Sequence, residues 1–175
     1  MPNGLALAIN TLLILILLAY IISIILNFFS PFYTTPTKLL KDVVKQFKLK
    51  KDEKFADLGC GDGRVVFTTH RMYKCHTIGY EVSPVLLMFV KLTKLILYPF
   101  NRKVQFLEED FFKVNLKEYD VIYCNLPTDV LEVLSKKFKK ELKKGSRVYS
   151  YLNEIPDMKG RTIRVQSKKV YEYTF

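Results

Sequence analysis

The sequence predicts an α/β fold: a mostly parallel sheet with helices on both faces, preceded by a single apolar helix. Three observations carry this. Residues 1–37 contain no Asp, Glu, Lys or Arg, whereas all 28 Lys and Arg and all 17 Asp and Glu lie beyond them, so a lipid-like segment is joined to a water-soluble one. From Lys54 onward, short apolar runs alternate with stretches of helical periodicity, the pattern of parallel strands linked by crossover helices. Gly59, Gly61 and Gly63 punctuate DLGCGDGR, between the first such run and the first such helix.

Composition excludes several classes. With 49% apolar residues, 13 Phe and 11 Tyr, the chain can bury a core and is not disordered. Seven Gly and seven Pro are too few for a collagen-like or low-complexity chain. Cys60, Cys75 and Cys124 are odd in number and lack CxxC spacing, so neither a disulfide framework nor a zinc site is expected, and a reducing compartment is. No metal site is expected.

The first element is the run Leu5 to Phe29, interrupted only by Asn10, Thr11, Ser23 and Asn27. As a helix it spans roughly 37 Å, enough to cross a hydrocarbon core of about 30 Å with some tilt. Residues 1–30 are therefore expected to be a retained transmembrane anchor: a secretory signal would show a basic start, a shorter apolar core and a small-residue cleavage site. Lys38, Lys41, Lys45, Lys48, Lys50, Lys51 and Lys54 follow the span and nothing basic precedes it, so the rest is expected to face the cytoplasm. A prokaryotic plasma membrane is favoured, or the mitochondrial inner membrane in a eukaryote.

Residues 31–53 are expected to be a linker and a pre-core helix. Pro31 and Pro36 in SPFYTTP force extended chain, Thr37 is expected to cap a helix, and Leu39, Leu40, Val43, Val44 and Phe47 mark its buried side. Residues 54–175 form the expected catalytic domain. Strands are expected at 54–58, 76–81, 103–107, 119–124 and 147–152, and helices from Gly63 to about Tyr73, at 84–97 and at 129–143. Thr162–Ser167 and Val170–Phe175 have period-two patterns, so they are expected to close the domain as an antiparallel pair. The helix after Ser83-Pro84 is apolar almost all round, which suits burial between the sheet and the N-terminal helix or, alternatively, the membrane interface.

The glycine loop carries chemistry. Glycines after a strand let the backbone turn sharply and approach a ligand, and the following helix is expected to offer free N–H groups. A dinucleotide fingerprint needs glycine where Arg64 stands. Asp57, directly before the loop, would repel a pyrophosphate but suits an ammonium group, and Glu81 at the end of the second strand is placed to accept from a ribose diol. S-adenosylmethionine has an ammonium, a sulfonium and a ribose, and no phosphate.

DLGCGDGR, GYEVSP and EEDFF together resemble the class I, seven-strand S-adenosylmethionine-dependent methyltransferases. The resemblance implies a Rossmann-like seven-strand sheet in which Asp57, Gly59, Gly61 and Gly63 line the methionine part of the cofactor, Glu81 holds the ribose, and Asp110 lies near the adenine with Phe111 covering the ring. The order of span, PFYTTP and amphipathic helix before that core resembles the membrane-anchored protein lysine methyltransferases of the ATP synthase c subunit and the adenine nucleotide translocase, with their short prokaryotic relatives. It implies a lysine acceptor in a membrane protein.

Asn125, after the fourth strand, is the candidate catalytic residue; it resembles the first position of the NPPY motif, but Leu126 and Thr128 replace the second Pro and the Tyr. A base-stacking aromatic is thus missing, which argues against a flipped nucleobase. His70 and His76 fall away from the expected site, so no histidine base is evident. N-methylation tolerates this, because an amine can lose its proton beforehand. For an amine of pKa about 10.4 that costs about 4.6 kcal/mol at pH 7, against about 7–11 kcal/mol from alignment with the sulfonium. Lipid or quinone methylation, and a non-enzymatic anchored cofactor-binding protein, remain alternatives. Tyr33, Thr34 and Thr35 are candidates to close over the cofactor or acceptor, or are plain linker. Lys136, Lys137, Lys139, Lys140 and Lys143 are expected on an outward helix face turned toward anionic lipid; with a membrane anchor present, the net charge of +11 indicates a membrane surface and no nucleic acid partner.

Overall fold

The computed structural model describes residues 4–29 and 34–175. The chain divides into two compact units, Met1–Phe32 and Tyr33–Phe175. In the first, α1 (Gly4–Phe29) is one continuous helix, and its stretch Gly4–Ile22 is long and apolar enough to cross a membrane with none of it buried in protein. Inside that stretch the Thr11 hydroxyl donates to Leu7 O at 2.9 Å, so its polar group is satisfied by the helix itself, as a lipid environment demands.

The second unit is an α/β domain in the order α2 (Thr37–Gln46), β1 (Lys54–Leu58), α3 (Arg64–Tyr73), β2 (His76–Tyr80), α4 (Pro84–Leu97), β3 (Val104–Leu107), β4 (Val121–Cys124), α5 (Thr128–Glu141), β5 (Arg147–Tyr151), β6 (Arg161–Val165) and β7 (Lys168–Thr174). The seven strands form one sheet of order β3-β2-β1-β4-β5-β7-β6. The five central-to-edge strands β1 to β5 are parallel, and β7 runs antiparallel to both β5 and β6. The antiparallel pair expected from the C-terminal pattern is present, and its last strand enters the sheet between β5 and β6.

Alternation along the strands sorts side chains to two cores. Phe55, Tyr123, Tyr149 and Tyr151 join Leu39, Val43, Phe47, Val66, Leu87 and Val90 of α2, α3 and α4. Ala56, Leu58, Ile122 and Val148 join Leu131, Leu134 and Phe138 of α5. Helices on both faces follow from period-two strands meeting amphipathic helices. Arg147 clasps Glu53 through two bonds of 2.8 Å and also donates to Phe47 O, fastening the end of α2 to β5.

Three expectations need correction. Thr37 is the first helical residue, not the cap; Pro36 occupies that position without a side-chain bond, and the Thr37 hydroxyl accepts from Arg64 instead. Burial of α4 is not observed: only Leu87 and Val90 are buried, because β3 is the edge strand and offers one narrow row of side chains to pack against. The fourth strand begins at Val121 because Tyr119 and Asp120 make turn contacts, with Asp120 Oδ2 accepting from Lys54 N at 2.8 Å. Tyr33 and the linker residues before it lie outside the described residues.

Candidate functional site

The register brings five strand ends into one row, Leu107, Tyr80, Leu58, Cys124 and Ser150. The chain turns from β1 to one side of the sheet for β2 and β3, then returns to the other side for β4, so a crevice opens beyond β1 and β4. Gly59, Glu81, Asp110 and Asn125 all follow strands at this edge. The sheet therefore assembles the sequence-predicted residues from four separate loops.

Gly59, Gly61 and Gly63 all have left-handed backbones, with φ of 77°, 55° and 73°. A Cβ on Gly59 would lie 3.2 Å from Leu126 and 4.0 Å from the Phe111 ring, so both apolar side chains converge on the loop. Gly63 differs. A Cβ there would strike Val90 at 2.4 Å and Phe106 at 2.7 Å, so this glycine permits close packing of α3 and faces protein instead of a ligand. Gly79, not singled out in the sequence, does the same in β2, where Cys60 and Phe106 occupy its Cβ space.

Most N–H groups of the loop itself are engaged. Gly59 and Cys60 donate to Tyr80 O, Gly61 to Glu81 Oε2, and Gly63 to Cys60 O, each within 2.9–3.0 Å; Arg64 N donates to Asp62 Oδ1 at 3.2 Å. With these five donors spent internally, the loop is a poor phosphate cradle.

Its carboxylates favour a cation. Asp57 is 3% exposed and takes no hydrogen bond from the described residues. Burial, and then the charges of Glu81 and Asp62, push its carboxyl well above the usual carboxylate range. An ammonium or sulfonium beside it would offset all three effects, so the acidic set fits the cationic end of S-adenosylmethionine. Glu81 is held by Gly61, Val82 and Ser83 N–H groups, each at 2.9 Å. A carboxylate has about four acceptor directions, so roughly one remains for a ribose hydroxyl. Asp110 Oδ1 accepts from Phe112 N at 2.9 Å in a local turn, with half-buried Phe111 next to it.

Asn125 stands at the end of β4, and the following carbonyl, Leu126 O, is pinned by Asn153 Nδ2 at 2.9 Å. The histidines are engaged or distant. His70 Nδ1 faces Cys75 O at 2.9 Å and must donate, so Nε2 accepts from Asn101; burial holds the ring below its usual pKa. His76 opens β2 at the opposite edge. Cys60, Cys75 and Cys124 are free and buried, with burial raising each thiol, Cys75 to about 11 and Cys124 to about 12.

Two contacts went unread in the sequence. Thr35, buried, shares a 2.5 Å hydrogen bond with Tyr123 on β4, and Arg64 donates to Thr35 O at 3.1 Å while its Nε bonds both Asp62 oxygens at 2.9 Å. The linker is thus fastened to the glycine loop. The available signal was Arg64 ending DLGCGDGR and Tyr123 sharing the strand face of Asp57 through direct register.

Comparison with known proteins shows the family. Residues 57–162 match the family model described as the ANTKMT methyltransferase domain. A protein-lysine N-methyltransferase of Saccharolobus islandicus is 31% identical over 126 residues, covering 71% of this chain and 78% of that protein. The adenine nucleotide translocase lysine N-methyltransferase of Mus musculus is 33% identical over 105 residues, 59% of this chain but only 44% of the relative. An RNA methyltransferase from Salinibacter ruber, solved with S-adenosyl-L-homocysteine, superposes with a TM-score of 0.75 at 23% identity, over 81% of this chain and 93% of that one; the likeness carries the fold alone. The chain belongs to the ANTKMT methyltransferase domain family and is an S-adenosylmethionine-dependent methyltransferase.

Proposed function

We propose that the chain is a protein-lysine N-methyltransferase acting on a membrane protein at the bilayer surface. The observation that carries the acceptor class is the residue inventory at the strand edge: acids and apolar walls, with His70 tied through both ring nitrogens and His76 at the far edge. A hydroxyl acceptor needs a base in the transition state, whereas an amine sheds its proton first. The relatives named for lysine methylation support the same class. Residues 1–30 as anchor, 31–53 as connector and 54–175 as catalytic domain give the enzyme its place, with α1 as the span and the domain on the cytoplasmic side.

The cofactor supplies an electrophilic methyl group on a sulfonium. Asp57 holds the cationic methionine end, Glu81 accepts from the ribose, Asp110 and Phe111 bound the adenine, and Gly59 with Gly61 let the backbone approach. Phe111 and Leu126 narrow the crevice and exclude water, which lowers the pKa of an entering lysine amine. Asn125 orients that amine, and its proton leaves to solvent. Below the acceptor's pKa, kcat/KM should rise about tenfold per pH unit.

Incubating the full chain in its own membranes with methyl-labelled cofactor tests the reading. Methyl-lysine in the hydrolysed protein fraction is expected. Label confined to the organic phase would transfer the assignment to a lipid or quinone acceptor.

A further inference from the structure

We propose that the outward face of α4 lies in the interfacial layer of an anionic bilayer, as a second membrane contact distinct from α1. This rests on the reading of α1 as an anchor. On α4 and the turn after it, Met88 (61% exposed), Phe89 (57%), Leu92 (54%), Leu95 (61%), Ile96 (72%) and Phe100 (95%) are bare. Their spacing draws a continuous apolar stripe along one side of the helix. Soluble proteins rarely leave such a stripe open, and apart from Val82 and Leu97 at the two ends of the same helix, the other exposed apolar residues of the domain, such as Met72 and Val133, are scattered singly.

Charge selects the occupant. Residues 84–97 contain no acid, and their only charges, Lys91 and Lys94, make no ion pair among the described residues. Both line a groove of about 400 Å³ with Leu95, Pro99 and Gln105 beside the stripe. An apolar stripe flanked by unpaired ammonium groups matches acyl chains below a layer of lipid phosphates. Chain length supplies the second argument. From Phe29, where α1 ends, to Thr37, where α2 begins, is a stretch of sequence that fully extended reaches at most about 29 Å. A domain on so short a tether cannot leave the bilayer surface, and among the described residues α4 is its one extended apolar face. Since α4 starts just past Glu81, capped by Ser83 accepting from Leu86 N, seating α4 on lipid sets the height of the cofactor edge over the membrane.

The chain has no Trp, so one introduced indole reports its own surroundings. Phe89→Trp, Leu92→Trp and Leu95→Trp, each in the full chain, are reconstituted in phosphatidylcholine–phosphatidylglycerol vesicles with plain or brominated acyl chains, beside Leu15→Trp in α1 and Val133→Trp on α5. Expected are a blue-shifted emission and quenching by brominated lipid at Leu15 and at the α4 positions, with neither at Val133. Quenching at Leu15 but at none of the α4 positions overturns the proposal and leaves the anchor intact. Absence of quenching at Leu15 removes the anchor reading first, and this proposal with it. A concentration-dependent blue shift at α4 without bromine quenching identifies a second copy as the occupant and also overturns it. Three α4 positions guard against one variant failing to fold, with calorimetric binding of S-adenosylmethionine as the check on each.

Discussion

At neutral pH, Asp57 opposes folding at the place where it is proposed to hold the cofactor. Its pKa is raised in the folded state, so the native protein keeps a proton that the unfolded chain releases near pH 3.9. The stability this contributes is complete below that pH and is lost as pH rises through the folded value. At pH 7, Asp57→Asn should therefore raise the thermal midpoint, by about 2–4 °C per kcal/mol relieved, while calorimetry shows cofactor binding abolished. A lower midpoint together with intact binding would contradict the assigned role. Glycines give a second test. Gly63→Ala meets both a left-handed backbone and Val90 at 2.4 Å, and should cost about 2–4 kcal/mol in urea unfolding. Gly145→Ala, with φ of 89° but open space around it, should cost about 1–2 kcal/mol.

At the scale of elements, the segment before α2 is part of the site's support. Tyr123→Phe leaves the buried Thr35 hydroxyl without its partner and should cost about 1–3 kcal/mol, as should Thr35→Val. The double variant should lose much less than the sum, because two apolar groups replace two matched polar ones. Additive losses in chemical unfolding would show that the hydrogen bond contributes nothing. Arg64→Ala removes the link from Asp62 to Thr35 and should weaken cofactor affinity without large loss of stability, since the Arg64–Asp62 pair is partly exposed. On α5, the expected basic face is partly consumed inside the protein. Lys137 pairs with Glu141 at 2.8 Å, Lys143 with Asp120 at 2.6 Å, and Lys139 donates to Asp157 O, so that of the five only Lys136 and Lys140 lie outside such contacts among the described residues.

Over the whole molecule, the last strand made is an inner strand of the sheet. β7 pairs with β5 from Arg147↔Thr174 to Tyr151↔Val170, and Tyr173 accepts from Ile155 N at 2.7 Å. Removing residues 161–175 should expose the edge of β5 with Tyr149 and Tyr151, abolish cooperative unfolding and bind a hydrophobic dye. A truncated chain that still melts in one sharp transition would show that the five parallel strands suffice. The proposed anchor belongs to this scale too. Because the two units are separately compact, replacing Leu5–Phe29 with a polar linker should leave cofactor affinity unchanged, while under the proposed function methylation of membrane-embedded acceptors collapses.

The sequence by itself determined the α/β class, nearly every element and the identity of the loop, because period, glycine spacing and charge segregation are local properties that survive without coordinates. The places of Asp57, Glu81, Asp110 and Asn125 at one edge of the sheet were legible, since each lies near or just past the end of a strand. Tertiary structure decided what depends on neighbours. Whether Gly63 faces ligand or protein turns on Val90 and Phe106, and whether loop N–H groups are free turns on Tyr80 O and Glu81. The bond between Thr35 and Tyr123 joins residues far apart in the chain, and only the sheet brings them together. Burial of α4 could not be read from its composition, for an apolar helix looks alike whether covered by protein or by lipid; its place beside the edge strand decides that protein covers only Leu87 and Val90.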